Sequence, residues 1–387
     1  MPLPLYLLAL AVFAMGTSEF MLAGLLPGLA ADLGVSVGAA GGLTSAFAVG
    51  MAVGAPLMAA LARGRSGRGS LLGFVLAFTA AHAVGAVTTS FPVLLVTRVA
   101  AALADAGFLA VALTTAAALA PADRKGRALA VLLSGTTIAT VAGVPGGAVL
   151  GALFGWRSAF WAVALLCLPA AVGLVKGLPP QAASADRTAA PAPALRAELA
   201  ALRRPGLARA MVLAALVNAA TFGGFTFLAP VVTGPAGLGE PWVPVALALF
   251  GAGSFAGVSV AGRLADRRPG PLLAVTGPLL LLGWPALAVS TDEPGALLPL
   301  VFLLGALSFA MGGTLITRVL YEAAGAPTMA GAYTTAALNA GATTGPLLAA
   351  TALGAEGGGP GPFYVSGLLV AAALPIVAVR PLRARGR

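Results

Sequence analysis

The chain has 387 residues, of which 59% are hydrophobic and only 9% are charged, and its mean hydropathy is +0.99. A soluble domain carries about 25% charged residues, so this composition excludes a water-soluble globular protein and indicates a chain surrounded by lipid. The formal net charge of +10 would suit a nucleic-acid-binding protein, but the positions of the basic residues argue against that interpretation.

Twelve apolar stretches follow one another along the chain, each close to the roughly 20 residues that span a bilayer as a helix. They cover residues 3–26, 37–61, 71–87, 91–119, 128–153, 158–178, 207–233, 242–264, 272–289, 295–320, 331–353 and 363–379. The first stretch has no basic residue before it and contains Glu19, which argues against a signal peptide. We therefore predict an all-α membrane protein with twelve transmembrane helices.

The basic residues lie on alternate connections. Twenty of the 22 lysines and arginines fall on one side if the loops alternate across the membrane, while Arg157 falls on the other side and Arg98 lies within a helix. This is the positive-inside pattern, which places both termini in the cytoplasm. The excess charge therefore indicates topology, and we predict a lipid bilayer rather than nucleic acid as the partner.

A charged loop recurs six helices apart. Residues 262–267 (Gly-Arg-Leu-Ala-Asp-Arg) follow the eighth stretch, and a degenerate copy at 60–68 follows the second. The recurrence indicates two six-helix units repeated in parallel. We predict an N-terminal bundle over residues 1–178, an Ala/Pro-rich cytoplasmic linker over 179–206 and a C-terminal bundle over 207–387, with a fold of two bundles related by a pseudo-twofold axis.

Small-xxx-small glycine spacing marks the equivalent helices two, five, eight and eleven, where backbones can approach closely in lipid. We predict that helices five and eight, and two and eleven, move against each other along these seams. Prolines in helices five and eleven would supply kinks. The conformational residues predicted in this way are Gly143, Pro145, Gly147, Gly253, Gly257, Gly341, Gly345 and Pro346, with Gly50 and Gly54 completing the pattern.

Ionisable residues within the apolar stretches are candidates for function, because burying a charge in lipid costs about 2.5–3.5 kcal/mol. Glu19 lies well inside the first helix. Burial disfavours the charged form of a carboxyl group, which suits such a residue to bind and release protons. The alternative is a glutamate that hydrogen-bonds a neighbouring helix for packing alone.

Arg98 and Asp105 lie seven residues apart on the fourth helix, nearly on one face. One interpretation is that Arg98 is a fixed positive charge that tunes the protonation of Glu19 or Asp105. The alternative is a structural Arg98–Asp105 ion pair with no proton traffic.

Other polar and aromatic residues leave two interpretations open. His82 is either a proton relay or a helix–helix hydrogen bond. Asn218 and Asn339 either bind substrate or tie helices together. Aromatic side chains either line a pocket or face lipid, and the candidates are Phe20, Phe47, Phe222 and Phe225.

Several motifs go beyond generic membrane patterning. Residues 16–20 (Gly-Thr-Ser-Glu-Phe), running on to 24–27 (Gly-Leu-Leu-Pro), resemble helix one of the drug:proton antiporters of the major facilitator superfamily. Residues 143–147 (Gly-Val-Pro-Gly-Gly) resemble the antiporter motif of helix five in that group, and residues 155–157 (Gly-Trp-Arg) resemble its turn into helix six. Arg98 resembles the helix-four arginine that is implicated in proton transfer. The chain resembles bacterial chloramphenicol-resistance exporters, with sugar-efflux and purine-efflux relatives nearby.

This resemblance implies proton coupling through Glu19, Arg98 and Asp105. It also implies a cytoplasmic gate, and here the chain departs from the family: Gly64 replaces an acidic residue in the first charged loop, whereas Asp266 is retained in the second. We therefore expect the gate to close asymmetrically through Asp266 and Arg267. Ala101 and Ala102 stand where the family's helix-four motif has Gln-Gly.

Three functions remain open at this stage. The first, implied by the resemblance, is proton-coupled export of a neutral amphiphilic drug, with chloramphenicol the leading candidate. The second is export of a sugar or nucleobase, and the third is an uncoupled pore or a transporter-like sensor. No ATP-binding G-x-x-x-x-G-K-[ST] loop occurs, and one His and one Cys do not suit metal catalysis. We expect no enzyme activity, no cofactor and a monomer in a bacterial plasma membrane.

Overall fold

The computed structural model describes residues 3–62, 67–119, 125–177, 200–264, 269–323, 326, 329–354 and 359–378. The regular structure of these residues is helical. The first six long segments are α1 (Leu3–Phe20), α2 (Val37–Ala62), α3 (Gly67–Val87), α4 (Phe91–Ala118), α5 (Lys125–Ile138 and Val144–Phe154, joined by a π-helical turn, Ala139–Gly143) and α6 (Trp156–Gly177). The next six are α7 (Pro205–Thr226), α8 (Trp242–Leu264), α9 (Pro269–Val289), α10 (Pro294–Glu322), α11 (Ala330–Ala350) and α12 (Gly361–Ala378).

The predicted all-α architecture is confirmed, and each segment matches one apolar stretch of the sequence. Among the described residues, ten helices are long and apolar enough to cross a membrane. A shorter apolar helix, Gly361–Ile376, lies within α12. The remaining segment, α11, is rich in threonine, which it tolerates because it packs between α2 and α7.

Local residue choice explains several helix boundaries. Prolines occupy the first turn of α4, α7 and α10, where the missing N–H has no intrahelical partner to lose. Gly155 separates α5 from α6 with φ of 79°, a positive value that glycine adopts without a Cβ clash. Short helices extend two segments: a 3-10 turn (Met21–Gly24) and Leu26–Leu33 follow α1, and Leu228–Thr233 follows α7.

Helix packing repeats with a period of six segments. In the first half α1 packs on α5 and α6, α2 on α4, and α3 on α4 and α6. The second half has the same pairs: α7 with α11 and α12, α8 with α10, and α9 with α10 and α12. The two halves meet through α2 with α11 and α5 with α8, and Ser45 Oγ donates to the Thr343 carbonyl oxygen at 2.8 Å across the first contact.

The glycine seams lie within the halves, which corrects the prediction that they separate α5 from α8 and α2 from α11. A Cβ added at these glycines would meet a neighbour in the same half, and at four of the eight the nearest atom is a backbone atom. Gly50 and Gly54 face α4, Gly143 faces α1 and Gly147 the 3-10 turn after it, Gly253 and Gly257 face α10, and Gly341 and Gly345 face α7. Their close packing therefore stabilises each bundle.

A different glycine lies at the crossing of α5 and α8. A Cβ on Gly251 would lie 2.5 Å from the Thr140 carbonyl oxygen and 3.3 Å from Val141 Cα, in the other half. Thr140 belongs to the π-helical turn of α5, which ends two residues before Pro145. Proline lacks the N–H that would continue the α-helical pattern, and π-helical turns are frequent at functional sites.

Some predicted positions are not tested. Asp266 and Arg267 of the cytoplasmic gate, and Gly64 of the degenerate loop, lie outside the described residues, as does most of the predicted linker. The division at residues 178 and 206 therefore stays a prediction, although α7 begins at Pro205. By contrast, α11 runs through Pro346 without a change of helix type.

Candidate functional site

A buried polar cluster joins α1, α3 and α4. Arg98 of α4 is only 1% exposed, and its Nη1 and Nη2 donate to Ser18 Oγ at 2.7 Å and to the Ser18 carbonyl oxygen at 2.9 Å. Phe47 of α2 covers the guanidinium, with Cζ 4.3 Å from the ring centroid. A buried cation is thus held by neutral oxygen atoms and an aromatic face.

His82 of α3 closes the same cluster. Its Nε2 lies 2.6 Å from Ser18 Oγ, and its Nδ1 lies 2.9 Å from the Phe78 carbonyl oxygen, to which it donates. Ser18 is completely buried and His82 is 1% exposed. The expected helix–helix hydrogen bond of His82 is therefore present.

Glu19 follows Ser18 and is half-buried at the edge of this cluster. It interacts electrostatically with Arg98 and Asp105, both on α4. Asp105 is 7% exposed. Within the described ranges no ion pair joins Arg98 to either carboxylate, and whether these residues couple protons or only pair structurally stays a prediction. The positive charge is close enough to influence both acids without being bonded to either.

An aromatic cavity begins one residue further along α1. It lies between the two halves and is only partly enclosed, with about 320 Å³ of empty space that includes space open to its surroundings, and it is lined by Phe20, Thr140, Val144, Thr221, Phe222, Phe225, Phe250, Gly251, Ser254 and Phe309. The rings form a continuous series, with centroid distances of 5.6 Å for Phe20–Phe222, 6.4 Å for Phe222–Phe225, 4.8 Å for Phe225–Phe250 and 6.3 Å for Phe250–Phe309. The site is therefore a mainly apolar pocket suited to an aromatic ligand.

The polar groups of this cavity are few. Thr221 Oγ1 donates to the Val217 carbonyl oxygen, and Ser254 Oγ donates to the Phe250 carbonyl oxygen. Their protons are therefore engaged, and these two hydroxyls offer a ligand mainly acceptor lone pairs.

The structure brings together some of the predicted pocket residues and separates others. Phe20, Phe222 and Phe225 line the cavity, whereas Phe47 contacts Arg98 instead. Asn218 donates from Nδ2 to the Leu338 carbonyl oxygen at 2.6 Å and ties α7 to α11, and Asn339 donates to its own helix at Thr335. Both amide groups thus have structural partners.

Several lining residues were not predicted. Thr140, Val144 and Thr221 lie on α5 and α7, while Phe250, Gly251 and Ser254 share one face of α8, and Phe309 lies on α10. The spacing of the α8 residues indicates a common face. However, the apolarity of all twelve helices conceals which face turns inward, so the sequence carried no sufficient signal.

A second, larger cleft of about 980 Å³ lies between the halves at the end where α1 meets α2. Gly24, Ala148 and Val243 contribute to its lining, one or two helical turns beyond the aromatic cavity on α1, α5 and α8. A Cβ on Gly24 would lie 2.6 Å from Ala148 Cβ and 2.9 Å from Leu247 Cδ1. Gly24, Ala148 and Leu247 therefore form a tightly packed layer between the two spaces.

The cleft also contains a charged clasp. Arg157 Nη1 and Trp156 Nε1 both donate to Asp32 Oδ2, and Arg157 Nη2 donates to the Thr88 carbonyl oxygen at 3.1 Å. Arg157 also lies over the Trp156 ring, 4.4 Å from its centroid. The clasp joins the start of α6 to the connections after α1 and α3.

Because of this clasp, we expect the stability of the protein to depend on the ionisation of Asp32 only at acid pH. Hydrogen bonds from Arg157 and then Trp156 hold the pKa of Asp32 below its ordinary value of 3.8. A lowered native pKa contributes stability above the unfolded pKa, and this stability disappears as the pH falls through the native value. We expect Asp32→Asn to lower the melting temperature slightly and equally from about pH 5 to about pH 8, with the difference vanishing in strong acid. A difference that grows between neutral pH and pH 5 would contradict this assignment.

The described residues contain no group of three His, Cys, Asp or Glu side chains placed to hold a metal ion.

Comparison with known proteins identifies the family. The sequence pattern of the Major Facilitator Superfamily matches residues 8–337. The chain belongs to this superfamily. The prediction made from the helix-one and helix-five motifs is therefore confirmed.

Two relatives within the superfamily are similar over nearly the whole chain. The chloramphenicol resistance protein of Streptomyces lividans is 72% identical over 374 residues, which cover 97% of this chain and 95% of the relative. The inner membrane transport protein YdhP of Escherichia coli K12 is 34% identical over 92% of this chain and 88% of its own length.

Solved structures confirm the twelve-helix major facilitator fold. A D-xylose-proton symporter superposes with a TM-score of 0.76 at 16% identity, covering 97% of both chains. A bacterial homologue of the human lysosomal transporter Spinster, in an inward-facing and unoccupied conformation, gives a TM-score of 0.75 at 17% identity and covers 97% of this chain and 93% of its own. The superfamily match over residues 8–337 and the long apolar helices make the chain a multi-pass membrane transporter.

Proposed function

We propose that this transporter exports a neutral amphiphilic drug in exchange for protons, with chloramphenicol the leading candidate. The observation that carries the proposal is the 72% identity, over 97% of the chain, to a relative named for chloramphenicol resistance. The major facilitator fold supports the same conclusion, because it moves substrates by tilting one half against the other around a central site.

The aromatic cavity supports a ligand of this chemical class. Five phenylalanine rings line a space between the halves, and the bonded hydroxyls of Thr221 and Ser254 leave acceptor lone pairs. A neutral aromatic amphiphile would stack on the rings and direct one or two hydroxyl groups to these oxygens. A sugar would need many more hydrogen-bonding groups to replace its hydration shell.

Glu19 supplies the proton site of the proposed mechanism. It lies next to Phe20, which lines the cavity, and it interacts electrostatically with Arg98 and Asp105. In the outward-facing state Glu19 takes up a proton, and drug leaves. In the inward-facing state proton loss and drug entry favour each other, and Arg98 stabilises the carboxylate.

The energy released by one proton crossing the membrane is sufficient to drive drug export. One elementary charge moving through 100 mV is worth about 2.3 kcal/mol, which sustains a gradient of roughly fifty-fold in a neutral substrate. A bacterium would therefore gain a useful level of resistance from a stoichiometry of one proton per drug molecule.

The proposed orientation follows the positive-inside pattern. Both termini face the cytoplasm of a bacterial cell, and the larger cleft opens to the outside. Drug then leaves the aromatic cavity past the layer of Gly24, Ala148 and Leu247. In this proposal the protein acts as a monomer.

Expression in a drug-susceptible host tests the function directly. Cells that make the protein should tolerate more chloramphenicol, and inverted membrane vesicles should release protons when the drug is added. Tolerance that is unchanged for this drug, together with proton release driven by sugars or nucleobases, would reject the proposal in favour of the second function. Drug passage without proton movement would indicate the third function, an uncoupled pore.

Phe250→Leu tests the cavity. We expect the KM for drug to rise between about two- and tenfold, the effect of losing one aromatic contact, while the maximal rate changes less. Drug uptake into inverted vesicles at varied drug concentration measures both quantities. Phe255→Leu is the matched control, because Phe255 lies on the same helix but is 55% exposed on the outer face of the bundle. An equal KM increase in the control would remove the cavity from the drug pathway.

A further inference from the structure

Ser18 holds Arg98 beside Glu19. Both terminal nitrogens of the guanidinium bind this one residue, at 2.7 Å to its Oγ and 2.9 Å to its carbonyl oxygen. The Arg98 Nε has no hydrogen-bond partner among the described residues. Ser18 therefore supplies the hydrogen bonds that locate the positive charge, and it immediately precedes the proposed proton site in the chain.

Donor and acceptor counting determines the state of this cluster. Arginine only donates, so Ser18 Oγ accepts from Arg98 and keeps its own proton free to donate. In the described structure the acceptor for this proton is His82 Nε2, 2.6 Å away. Nδ1 then carries the imidazole proton and donates it to the Phe78 carbonyl oxygen at 2.9 Å. This arrangement satisfies each of these contacts with a neutral His82.

A protonated His82 would not fit this arrangement. Its Nε2–H would take a lone pair of Ser18 and leave the serine proton without an acceptor, and it would place a second cation beside Arg98. The other charged groups around the cluster are Glu19 of α1 and Asp105 of α4, and Cys167 of α6 interacts with Asp105. Neither carboxylate bonds the imidazole, so the cluster holds no counter-ion in contact with it.

The imidazole is also held in place by its neighbours. The ring of Phe78 lies 4.2 Å from that of His82, and the ring of Phe160 lies at 5.6 Å, centroid to centroid. With 1% of its surface exposed, the imidazole has no path to water in this state. His82 is thus placed as a fixed acceptor rather than as a group that carries protons between solvent and Glu19.

We propose that His82 and Ser18 are positioning residues for proton coupling: neutral His82 orients the Ser18 hydroxyl, and Ser18 holds Arg98 where its charge acts on Glu19. The inference rests on the proposed drug–proton exchange, which supplies the activity that is positioned. It assigns His82 no proton of its own, in contrast to a relay.

Two substitutions at one position separate these roles. His82→Gln places an amide oxygen close to the position of Nε2 and keeps an acceptor for Ser18, but it cannot carry a proton. His82→Phe keeps an aromatic ring against Phe78 and Phe160 and removes the acceptor. Ser18→Ala removes the hydroxyl itself, and it tests the same link if the phenylalanine variant does not fold.

The measurement is drug-driven proton release from inverted vesicles between about pH 5.5 and about pH 8.5. We expect His82→Gln to keep the wild-type pH profile. His82→Phe and Ser18→Ala should lose about tenfold or more in rate, as expected for a lost hydrogen bond to a charged group. Their residual activity should move to higher pH, because a carboxylate that loses a nearby positive charge holds its proton more firmly.

Each outcome has one meaning. Loss of proton release in His82→Gln, with drug binding intact, would establish a relay and overturn the inference. Folded His82→Phe or Ser18→Ala protein with the wild-type pH profile would overturn it as well, because a purely structural role leaves that profile unchanged. Wild-type vesicles that release no protons on drug addition would instead reject the proposed function.

Discussion

Replacing Glu19 with glutamine is expected to abolish drug-driven proton release and to return the tolerance of the host cell to that of cells without the protein. Glutamine has the shape of a protonated glutamate but cannot exchange a proton. A gradient of about fifty-fold, sustained by one proton at 100 mV, then has no energy source. Inverted vesicles with a pH-sensitive dye measure the release, and growth at graded drug concentrations measures tolerance.

Drug binding to Glu19→Gln should persist, because the aromatic cavity is intact and the variant resembles the protonated state. Equilibrium binding of radiolabelled drug to purified protein checks this. Glu240→Gln is the control: Glu240 lines the larger cleft and is exposed, so its charge is screened by water. Full resistance in the Glu19 variant would leave an uncoupled pore or a sensor as the function.

Adding a single methyl group at Gly251 is expected to slow transport strongly while leaving the protein folded. In Gly251→Ala the new Cβ would lie 2.5 Å from the Thr140 carbonyl oxygen and 3.1 Å from its carbonyl carbon. These are backbone atoms, so the clash is relieved only by separating α5 from α8. We expect the transport rate to fall about tenfold or more, since the two halves no longer close at this crossing.

Two other glycines provide matched controls for Gly251→Ala. A Cβ on Gly146 of α5 would meet nothing within 4 Å, so Gly146→Ala should transport normally. Gly253 of α8 faces the Phe302 carbonyl oxygen within its own half, and Gly253→Ala should therefore reduce the amount of folded protein. Gel filtration in detergent separates folding from transport. Normal transport by Gly251→Ala would show that α5 and α8 do not close at this residue.

Fold and family were accessible from the sequence because lipid imposes simple requirements. A spanning helix needs a long apolar stretch, so the twelve stretches predicted the helices to within a few residues at most ends. The charged loop recurring at residues 60–68 and 262–267 predicted the two-unit repeat, which the packing of α1–α6 and α7–α12 reproduces.

Prediction of the site was partial. An ionisable residue in an apolar helix is conspicuous, so Glu19, Arg98 and Asp105 could be named as candidates, and their roles in proton coupling remain predictions. Ser18 is an ordinary residue in such a helix, and its part in holding Arg98 depends on the approach of α4 to α1. Phe47 was a candidate for contact with substrate, whereas in the structure it contacts Arg98. Aromatic residues are common in membrane helices, and composition does not indicate what they contact.

The same distinction applies to the glycines. Their spacing predicted close helix packing, and close packing is what they provide, but within each half rather than between the halves. Spacing along one helix indicates which residues share a face, whereas the partner of that face depends on the arrangement of the other helices.

By itself the sequence determined that this chain crosses the membrane repeatedly, that it consists of two related units and that it carries buried charges, since each property follows from composition or spacing along the chain. Only the tertiary structure decided which rings surround the cavity, what holds Arg98 and which helix each glycine seam packs against. In a uniformly apolar helix the lipid-facing and interior faces have nearly the same chemistry, so hydrophobicity cannot distinguish them, and the packing of the neighbouring helices does.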